Sequence, residues 1–193
     1  MSKLIVDQDW ETNESPFTFS GVAMARSATN AMDGTDVRGG NGGANSGQAA
    51  YSLVSGIDLP SSGSRRGLRV YGYFKFKRVS GPTGGTVPVM SLTGADATVT
   101  INILDGTTVL EGGVSGSTSL TAGSENRIDF DYREERNGYR FRIWLNGALE
   151  IDFSSASSPL QRVSTISFGT SSTKITWEFV WGRMKIWTAY DPQ

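Results

Sequence analysis

Two stretches of this chain alternate apolar and polar side chains with a period of two residues. The first runs over Leu68–Arg78 and the second over Arg127–Phe153. A period of two is typical of a β-strand that has one buried face and one solvated face. No long stretch has a helical period, and Gly accounts for 24 of the 193 residues. We therefore predict an all-β protein, built as an antiparallel β-sandwich or a barrel.

The remaining strands are expected to be short and to form a single domain over residues 1–193. The C-terminal strand is predicted to change parity through a bulge near Trp181-Gly182 and to lie beside the N-terminal strand. Residues from about 12 to 50 show little periodicity and are rich in Gly, Ser and Asn, which predicts an irregular loop region. The predicted strands outside the two alternating stretches are Lys3–Val6, Val87–Leu92, Thr98–Leu104, Thr107–Leu110 and Lys174–Trp187.

The first hairpin of the second stretch is predicted from the Asn137-Gly138 pair, which is typical of a two-residue turn. Closing this turn places Arg136 opposite Tyr139 and Glu135 across from Arg140. The apolar faces of the two strands then match, which supports the register. The apolar pairs that it predicts are Tyr132–Ile143 and Phe130–Leu145.

The next turn is predicted to be a three-residue, bulged loop over Asn146-Gly147-Ala148, because a two-residue loop would mix the apolar and polar faces. We expect Asn or Gly in the left-handed conformation there, and Arg142 opposite Asp152. The apolar pairs that this loop predicts are Leu145–Leu149, Ile143–Ile151 and Phe141–Phe153.

The order of these elements resembles the concanavalin A-like and laminin G-like jelly roll of lectins and glucanases. The likeness covers most of the chain and depends on apolar spacing rather than on reactive groups. It implies a two-sheet antiparallel jelly-roll sandwich. The segments that carry it are Asn126–Arg133, Tyr139–Leu145, "LNG-x-L-x-I-x-F" at Leu145–Phe153, "ISFGT" at Ile166–Thr170, "WEFVWGRMKIW" at Trp177–Trp187, "GLRV" at Gly67–Val70 and an early "DWE".

Several classes of function are disfavoured by the composition. Cys and His are both absent, which excludes disulfides, thiol nucleophiles, Cys/His zinc sites and histidine-based triads. The net charge is −1, so no basic excess indicates a nucleic acid or an anionic membrane as partner. The first residues lack the apolar core of a signal peptide, and we expect a soluble chain.

One short motif allows an enzymatic alternative. The glucanase branch of the fold carries clustered carboxylates on one strand, and Asp129, Asp131 and Glu134 have a similar spacing. Alternation puts Glu134 on the opposite face from the two aspartates, and neighbouring arginines would keep the acids ionised. We therefore expect no catalytic residues. A glycoside hydrolase is only the third alternative, after the two non-enzymatic functions that follow.

No cofactor or metal ligand is predicted, although calcium stays open. The segments Asp33-Gly34-Thr35-Asp36 and Asp7-Gln8-Asp9 supply oxygen atoms, the ligands that calcium prefers. Their spacing does not match a known calcium loop, and acidic turns are common in β-proteins.

The most suggestive functional feature is a set of aromatic and basic residues that share outward faces of two strands. Such residues stack on sugars or anchor protein interfaces, although they can also simply cover a sheet.

The chain is also similar to lectin-like accessory proteins of bacteriophage particles. That resemblance implies a non-enzymatic virion component, such as a capsid decoration, fibre or tail protein, with capsid or tail proteins or further copies of itself as partners. The alternative is a carbohydrate-binding module. The predicted binding face consists of Arg69, Tyr71, Tyr73, Lys75, Arg140, Arg142 and Trp144.

Overall fold

The computed structural model describes most of the chain. The described residues are 2–11, 17–20, 25–29, 31–32, 34–39, 47–52, 68–83, 85–94, 97–104, 107–110, 114–135, 137–156, 160, 163–170 and 176–190. They form strands joined by turns, and no helix among them could cross a membrane.

The strands assemble into two antiparallel sheets, as predicted. The strands are β1 (Ser2–Gln8), β2 (Thr18–Ser20), β3 (Ala25–Ser27), β4 (Asp36–Gly39), β5 (Gly47–Ser52), β6 (Leu68–Thr83), β7 (Thr86–Thr93), β8 (Thr98–Leu104), β9 (Thr107–Leu110), β10 (Ser115–Ser119), β11 (Glu125–Glu135), β12 (Gly138–Leu145), β13 (Ala148–Ser155), β14 (Thr165–Thr170) and β15 (Thr176–Tyr190). The first sheet has the order β13-β12-β11-β6-β15-β4-β3, with β1 also paired to β15, and the second has the order β10-β9-β8-β7-β14-β5-β2.

The core lies between the two sheets and is made by alternate residues of each strand. In β6 the apolar residues Leu68, Val70, Phe74 and Phe76 are buried, and the intervening residues of the same strand are partly exposed. In the second sheet, β8 buries Val99, Ile101 and Ile103 in the same way. The alternation that predicted the strands therefore also places their buried faces correctly.

The register predicted for the first hairpin is wrong by two residues. Glu135 pairs with Gly138 and Phe130 with Ile143, so the strands keep their faces but not their partners. The reason is Gly138, where a Cβ atom would overlap the carbonyl oxygen of Ser155 in β13. Glycine is therefore needed inside the strand rather than in the turn.

The same shift corrects the other pairs predicted for this hairpin. Tyr132 lies opposite Phe141 and not Ile143, and Phe130 does not face Leu145. Tyr139 pairs with Glu134, and Arg136 lies outside the described residues. The predicted pair of Glu135 with Arg140 is also wrong, because Arg140 lies opposite Arg133 and binds Asp152 instead.

The second turn contains the predicted bulge, but the bulge lies in the strand and not in the loop. Asn146 and Gly147 both have left-handed φ values of 52° and 85°, as a two-residue hairpin turn requires. Leu145 pairs with Ala148, and the register shifts before Ile143 pairs with Ile151. The unmatched residue is Glu150.

Two consequences follow for the predicted pairs of this turn. The pairs of Phe141 with Phe153 and of Arg142 with Asp152 are confirmed. The pair of Leu145 with Leu149 is wrong, because the two-residue turn sets Leu149 opposite Trp144, where Leu149 is 53% exposed.

The C-terminal strand confirms the predicted change of parity. The register between β15 and β6 shifts between Trp181 and Met184, and both residues are buried. The same strand pairs with β1 along Met184–Ala189, so the chain ends meet in the first sheet.

The segment from about 12 to 50 is more regular than predicted. It contributes β2, β3, β4 and β5 to the edges of the two sheets. These strands are only three to six residues long, which is too short to leave a clear period in the sequence. The Gly-rich residues 40–46 in its middle lie outside the described residues.

Candidate functional site

Five of the seven predicted binding residues line one open pocket on the outer face of the first sheet. We call it the outer pocket; its volume is about 430 Å³, within the range of small-ligand sites. It lies over β6, β11, β12 and β15, at the middle of the sheet. The residues that line it are Arg69, Tyr71, Gly72, Tyr73, Arg127, Asp129, Phe130, Asp131, Arg142, Trp144 and Trp187.

Aromatic rings form one wall of the outer pocket. Tyr71 and Trp187 are register partners on β6 and β15, and their rings stack with centroids 5.7 Å apart and an interplanar angle of 14°. Tyr73 leans toward the same indole at 6.3 Å. The three rings therefore present a continuous, half-buried aromatic surface.

Three arginines cover these and one further ring. The guanidinium carbon of Arg69 lies 4.5 Å from the centroid of Tyr71, and that of Arg127 lies 4.0 Å from Tyr73. On β12, Arg142 lies 5.3 Å from the ring of its neighbour Trp144. Guanidinium groups at these distances are attracted to aromatic faces, so each arginine is held in place without losing all its donors.

A buried carboxylate at the centre of the outer pocket holds two of these arginines together. Asp131 is only 3% exposed, and its Oδ1 accepts a hydrogen bond of 2.6 Å from Nε of Arg69. Its Oδ2 accepts hydrogen bonds from Nη2 of Arg69, at 3.2 Å, and from Nη2 of Arg142. One carboxylate on β11 thus joins β6 and β12 across the face.

A second ion pair lies at the rim. The side chain of Arg127 donates to both carboxylate oxygens of Asp129, with a shortest distance of 2.7 Å. This hydrogen-bonded pairing raises the pKa of Arg127 above its ordinary value, against the smaller opposing effect of burial. Arg127 therefore stays charged while more than half of its side chain faces solvent.

The glucanase-like spacing does not bring its three carboxyl groups together. Asp129 and Asp131 face the outer pocket in ion pairs, whereas Glu134 is fully buried on the core face. Beside it, burial raises the pKa of Tyr132, whose hydroxyl accepts a hydrogen bond from the backbone N–H of Leu160 at 3.0 Å. The motif therefore places two carboxylates on one surface, and both are held in ion pairs with arginines.

Two predicted residues lie outside the outer pocket. Arg140 binds Asp152 at the neighbouring strand, and this hydrogen bond raises the pKa of Arg140 and lowers that of Asp152. Lys75 lies one step along β6, opposite Arg127, but does not contribute to the lining. Arg140 and Lys75 thus lie one outward position beyond the outer pocket on β12 and β6.

Trp187, Arg127 and Asp131 are the site residues that sequence reasoning missed. A usable signal exists for Trp187, since the predicted bulge puts Met184 and Ile186 inward and therefore turns Trp187 outward. The signal for Asp131 and Arg127 is their shared parity on β11, which points to the same face as the arginines of β6 and β12.

Among the described residues, no three Asp or Glu side chains are grouped as a metal site would need. Of the segments considered for calcium, Asp7 forms an ion pair of 3.0 Å with Lys185, and the buried Asp36 accepts the backbone N–H of Met32. Asp33 lies outside the described residues.

Comparison with known sequences gives no match. No protein-family model matches the chain, and no curated protein does either. The comparison must therefore depend on three-dimensional structure.

Solved structures with the same arrangement include proteins that bind sugars and proteins that process them. The basic lectin of winged bean, solved with the Tn antigen, is 9% identical and covers both chains completely with a TM-score of 0.67. A conserved carbohydrate esterase of the Shiga toxin-encoding bacteriophage phi24B is 12% identical, covers 96% of this chain and 100% of its own, and has a TM-score of 0.59. An endo-1,3-β-glucanase of Streptomyces sioyaensis is 7% identical over 98% and 97%, with a TM-score of 0.59. This chain therefore has the concanavalin A-like jelly-roll fold that these lectins and carbohydrate-active enzymes share.

Proposed function

We propose that this chain is a non-catalytic glycan-binding domain and that the outer pocket is its binding site. The observation that carries the proposal is the stacked pair of Tyr71 and Trp187, which opens to solvent and is flanked by arginines. Half-buried rings that line an open pocket still favour a ligand, because covering the remaining aromatic surface releases water.

The chemistry of the outer pocket suits a sugar ring. One face of a pyranose presents C–H groups that pack on an aromatic ring, while its hydroxyl oxygens accept hydrogen bonds from nearby donors. Tyr71, Trp187 and Trp144 supply rings, and Arg127 and Arg142 supply donors at the margin. A lectin of the same fold that carries a sugar antigen, from winged bean, supports this reading.

The state of the carboxylates supports a binding role rather than hydrolysis. Retaining or inverting hydrolysis needs two carboxyl groups on the same side of the substrate, one of them protonated. Asp131 and Asp129 are both paired with arginines, and Glu134 lies on the other face of the strand. The glycoside hydrolase alternative is tested by polysaccharide hydrolysis assays, with Asp131→Asn as control.

A glycan array tests the proposal directly. We expect wild-type protein to bind a limited set of glycans and the Trp144→Ala variant to lose them. The matched control is Trp10→Phe, which changes a fully buried tryptophan away from the outer pocket and should leave binding unchanged if the variant folds. If folded protein binds no glycan on a broad array, the proposal is wrong.

A second proposal is that the chain works as a capsid, fibre or tail component of a bacteriophage particle. Its support is the structural similarity to the carbohydrate esterase of phage phi24B, which extends over 96% of this chain and 100% of the esterase chain. Mass spectrometry of particles purified from the source lysate tests it. The chain should be present at a fixed ratio to the major capsid protein, and its absence from intact particles would contradict the proposal.

A further inference from the structure

We propose that the outer pocket selects acidic glycans, and that the charge it recognises is a sugar carboxylate. This inference rests on the glycan-binding function proposed above and specifies its ligand. It depends on the balance of charge in the outer pocket, on its ratio of donors to acceptors and on the shape of its charged groups.

The outer pocket carries positive charge on a chain that is slightly negative. Three guanidinium groups and two carboxylates line it, which leaves an excess of one positive charge, whereas the whole chain has a net charge of −1. A cleft with local charge of one sign attracts ligands of the opposite sign. An anionic ligand is therefore favoured over a neutral one.

The hydrogen-bonding groups of the outer pocket point to the same class. The hydroxyl groups of a neutral sugar need acceptors as well as donors. Here both oxygens of Asp131 and both oxygens of Asp129 already accept from arginines. Arg127 and Arg142 keep N–H donors that these bonds do not use, and a ligand carboxylate supplies acceptors without needing any in return.

The positions of two arginines suit a carboxylate next to a stacked ring. Arg142 uses Nη2 for Asp131 and lies beside Trp144, with its side chain 30% exposed. Arg127 uses Nε and Nη2 for Asp129 and lies over Tyr73, with 54% of its side chain exposed. Planar guanidinium groups bind carboxylates through paired N–H donors, which gives direction as well as charge.

Paired probes test the inference. Tetragalacturonate, oligomannuronate and sialyllactose are each compared with their carboxyl-reduced forms by isothermal titration calorimetry. We expect at least one acidic form to bind and its reduced form to bind about tenfold or more weakly, as loss of a charge-assisted pair implies. Affinity should also fall when the salt concentration rises.

Variants assign the effect to the outer pocket. Arg142→Gln and Arg127→Gln should each lower affinity for the acidic form by about tenfold and affinity for the reduced form by clearly less, since only the acidic form loses a charge-assisted pair. The matched control is Arg140→Gln, which removes an equal charge from the same face of β12 but outside the outer pocket. Arg127 is largely exposed, so its variant is informative even if Arg142→Gln fails to fold.

The outcomes separate this inference from the function on which it rests. Equal binding of acidic and reduced forms, or equal loss in Arg140→Gln, overturns the acidic-glycan inference and leaves glycan binding in place. If neither these probes nor the neutral glycans of the array bind to folded protein, both proposals fail.

Discussion

The two outer faces of the sandwich differ sharply although their strands obey the same alternation. The outer face of the first sheet carries stacked rings, three arginines and paired aspartates around Asp131. The corresponding face of the second sheet is dominated by small hydroxyl and amide side chains. They are Ser91, Thr93, Thr98, Thr100, Asn102, Thr165 and Ser167.

The two sheets are similar in their inward residues and differ in their outward ones. Inward residues of both sheets are mostly apolar groups that fill the core, with the buried Glu134 of β11 as an exception. Outward residues of the second sheet are mostly small polar groups suited to a β-strand, and two of them, Ser91 and Ser167, are themselves buried. Among the described residues, the first sheet carries large rings and arginines at outward positions where the second carries small hydroxyls, which supports the proposal that ligands bind the first sheet.

The largest contrast between the faces is expected for a glycine beneath the outer pocket. A Cβ atom at Gly72 would overlap the carbonyl oxygen of Lys185 and lie 2.9 Å from Cα of Ile186. Gly72→Ala should lower the free energy of unfolding by about 3 kcal/mol, because backbone cannot move aside easily. In urea titrations, Ser91→Ala in the second sheet should cost about 1 kcal/mol or less. Similar losses in both variants would contradict the close approach at Gly72.

The next contrast concerns the buried carboxylate. Asp131→Asn removes the charge that two arginines bind and should lower the free energy of unfolding by about 2 kcal/mol. Thr100→Val removes a hydroxyl from the other face and should change it by less than about 0.5 kcal/mol. Chemical denaturation at neutral pH measures both. An Asp131→Asn protein as stable as wild type would show that the ion pairs of Asp131 contribute little to the free energy of unfolding.

Ligand binding gives a third contrast. Trp187→Ala removes one ring of the stacked pair and should weaken binding of any glycan found on the array by about tenfold. Thr100→Ala on the second sheet should leave the affinity unchanged. Calorimetry measures both, with circular dichroism as the test of folding. If Thr100→Ala lowers the affinity as much as Trp187→Ala does, the site does not lie on the outer face of the first sheet.

The smallest effect is expected where the two sheets meet at their edges. The bulged Glu150 of β13 accepts hydrogen bonds from the backbone N–H groups of Ser117, at 2.9 Å, and Thr118, at 3.1 Å, in β10. Burial alone would favour the neutral acid, but these bonds and those of the two hydroxyls outweigh it and lower the pKa of Glu150.

A lowered pKa in the folded state fixes the sign of the pH dependence. The stabilisation is present above the ordinary value of 4.5 and is lost as the pH falls through the lowered folded value. Glu150→Gln should therefore cost about 0.5 kcal/mol at neutral pH and nothing in strong acid, since the group is partly exposed. A difference that persists at low pH would contradict this origin. Thermal melts of both proteins across the acid range provide the measurement.

The sequence was sufficient for the fold because the two sheets depend on apolar parity. It placed the buried faces of β6, β8 and β11 and the parity change at Gly182. The sequence did not predict the register of the first hairpin. Whether Gly138 lies in the turn or in the strand depends on its close approach to Ser155 of β13, which is a third strand. The sequence also failed at the bulge, because Glu150 is held by β10, which the sequence does not show to be near.

The site was only partly predictable for a related reason. Alternation shows which side chains share a face of one strand, and it correctly grouped Tyr71 with Tyr73 and Arg142 with Trp144. It does not show which strands are neighbours, so the central role of Asp131 and the stacking of Trp187 on Tyr71 emerge only from the pairing of β6 with β11 and β15.

We propose that ligands bind the outer face of the first sheet. A titration of ¹⁵N-labelled protein with the best glycan of the array, followed by amide chemical shifts, tests it most directly. We predict that the shifts concentrate at Tyr71, Tyr73, Asp131, Arg142 and Trp187. Shifts confined to Ser91, Thr100 and Ser167 of the second sheet would contradict the account.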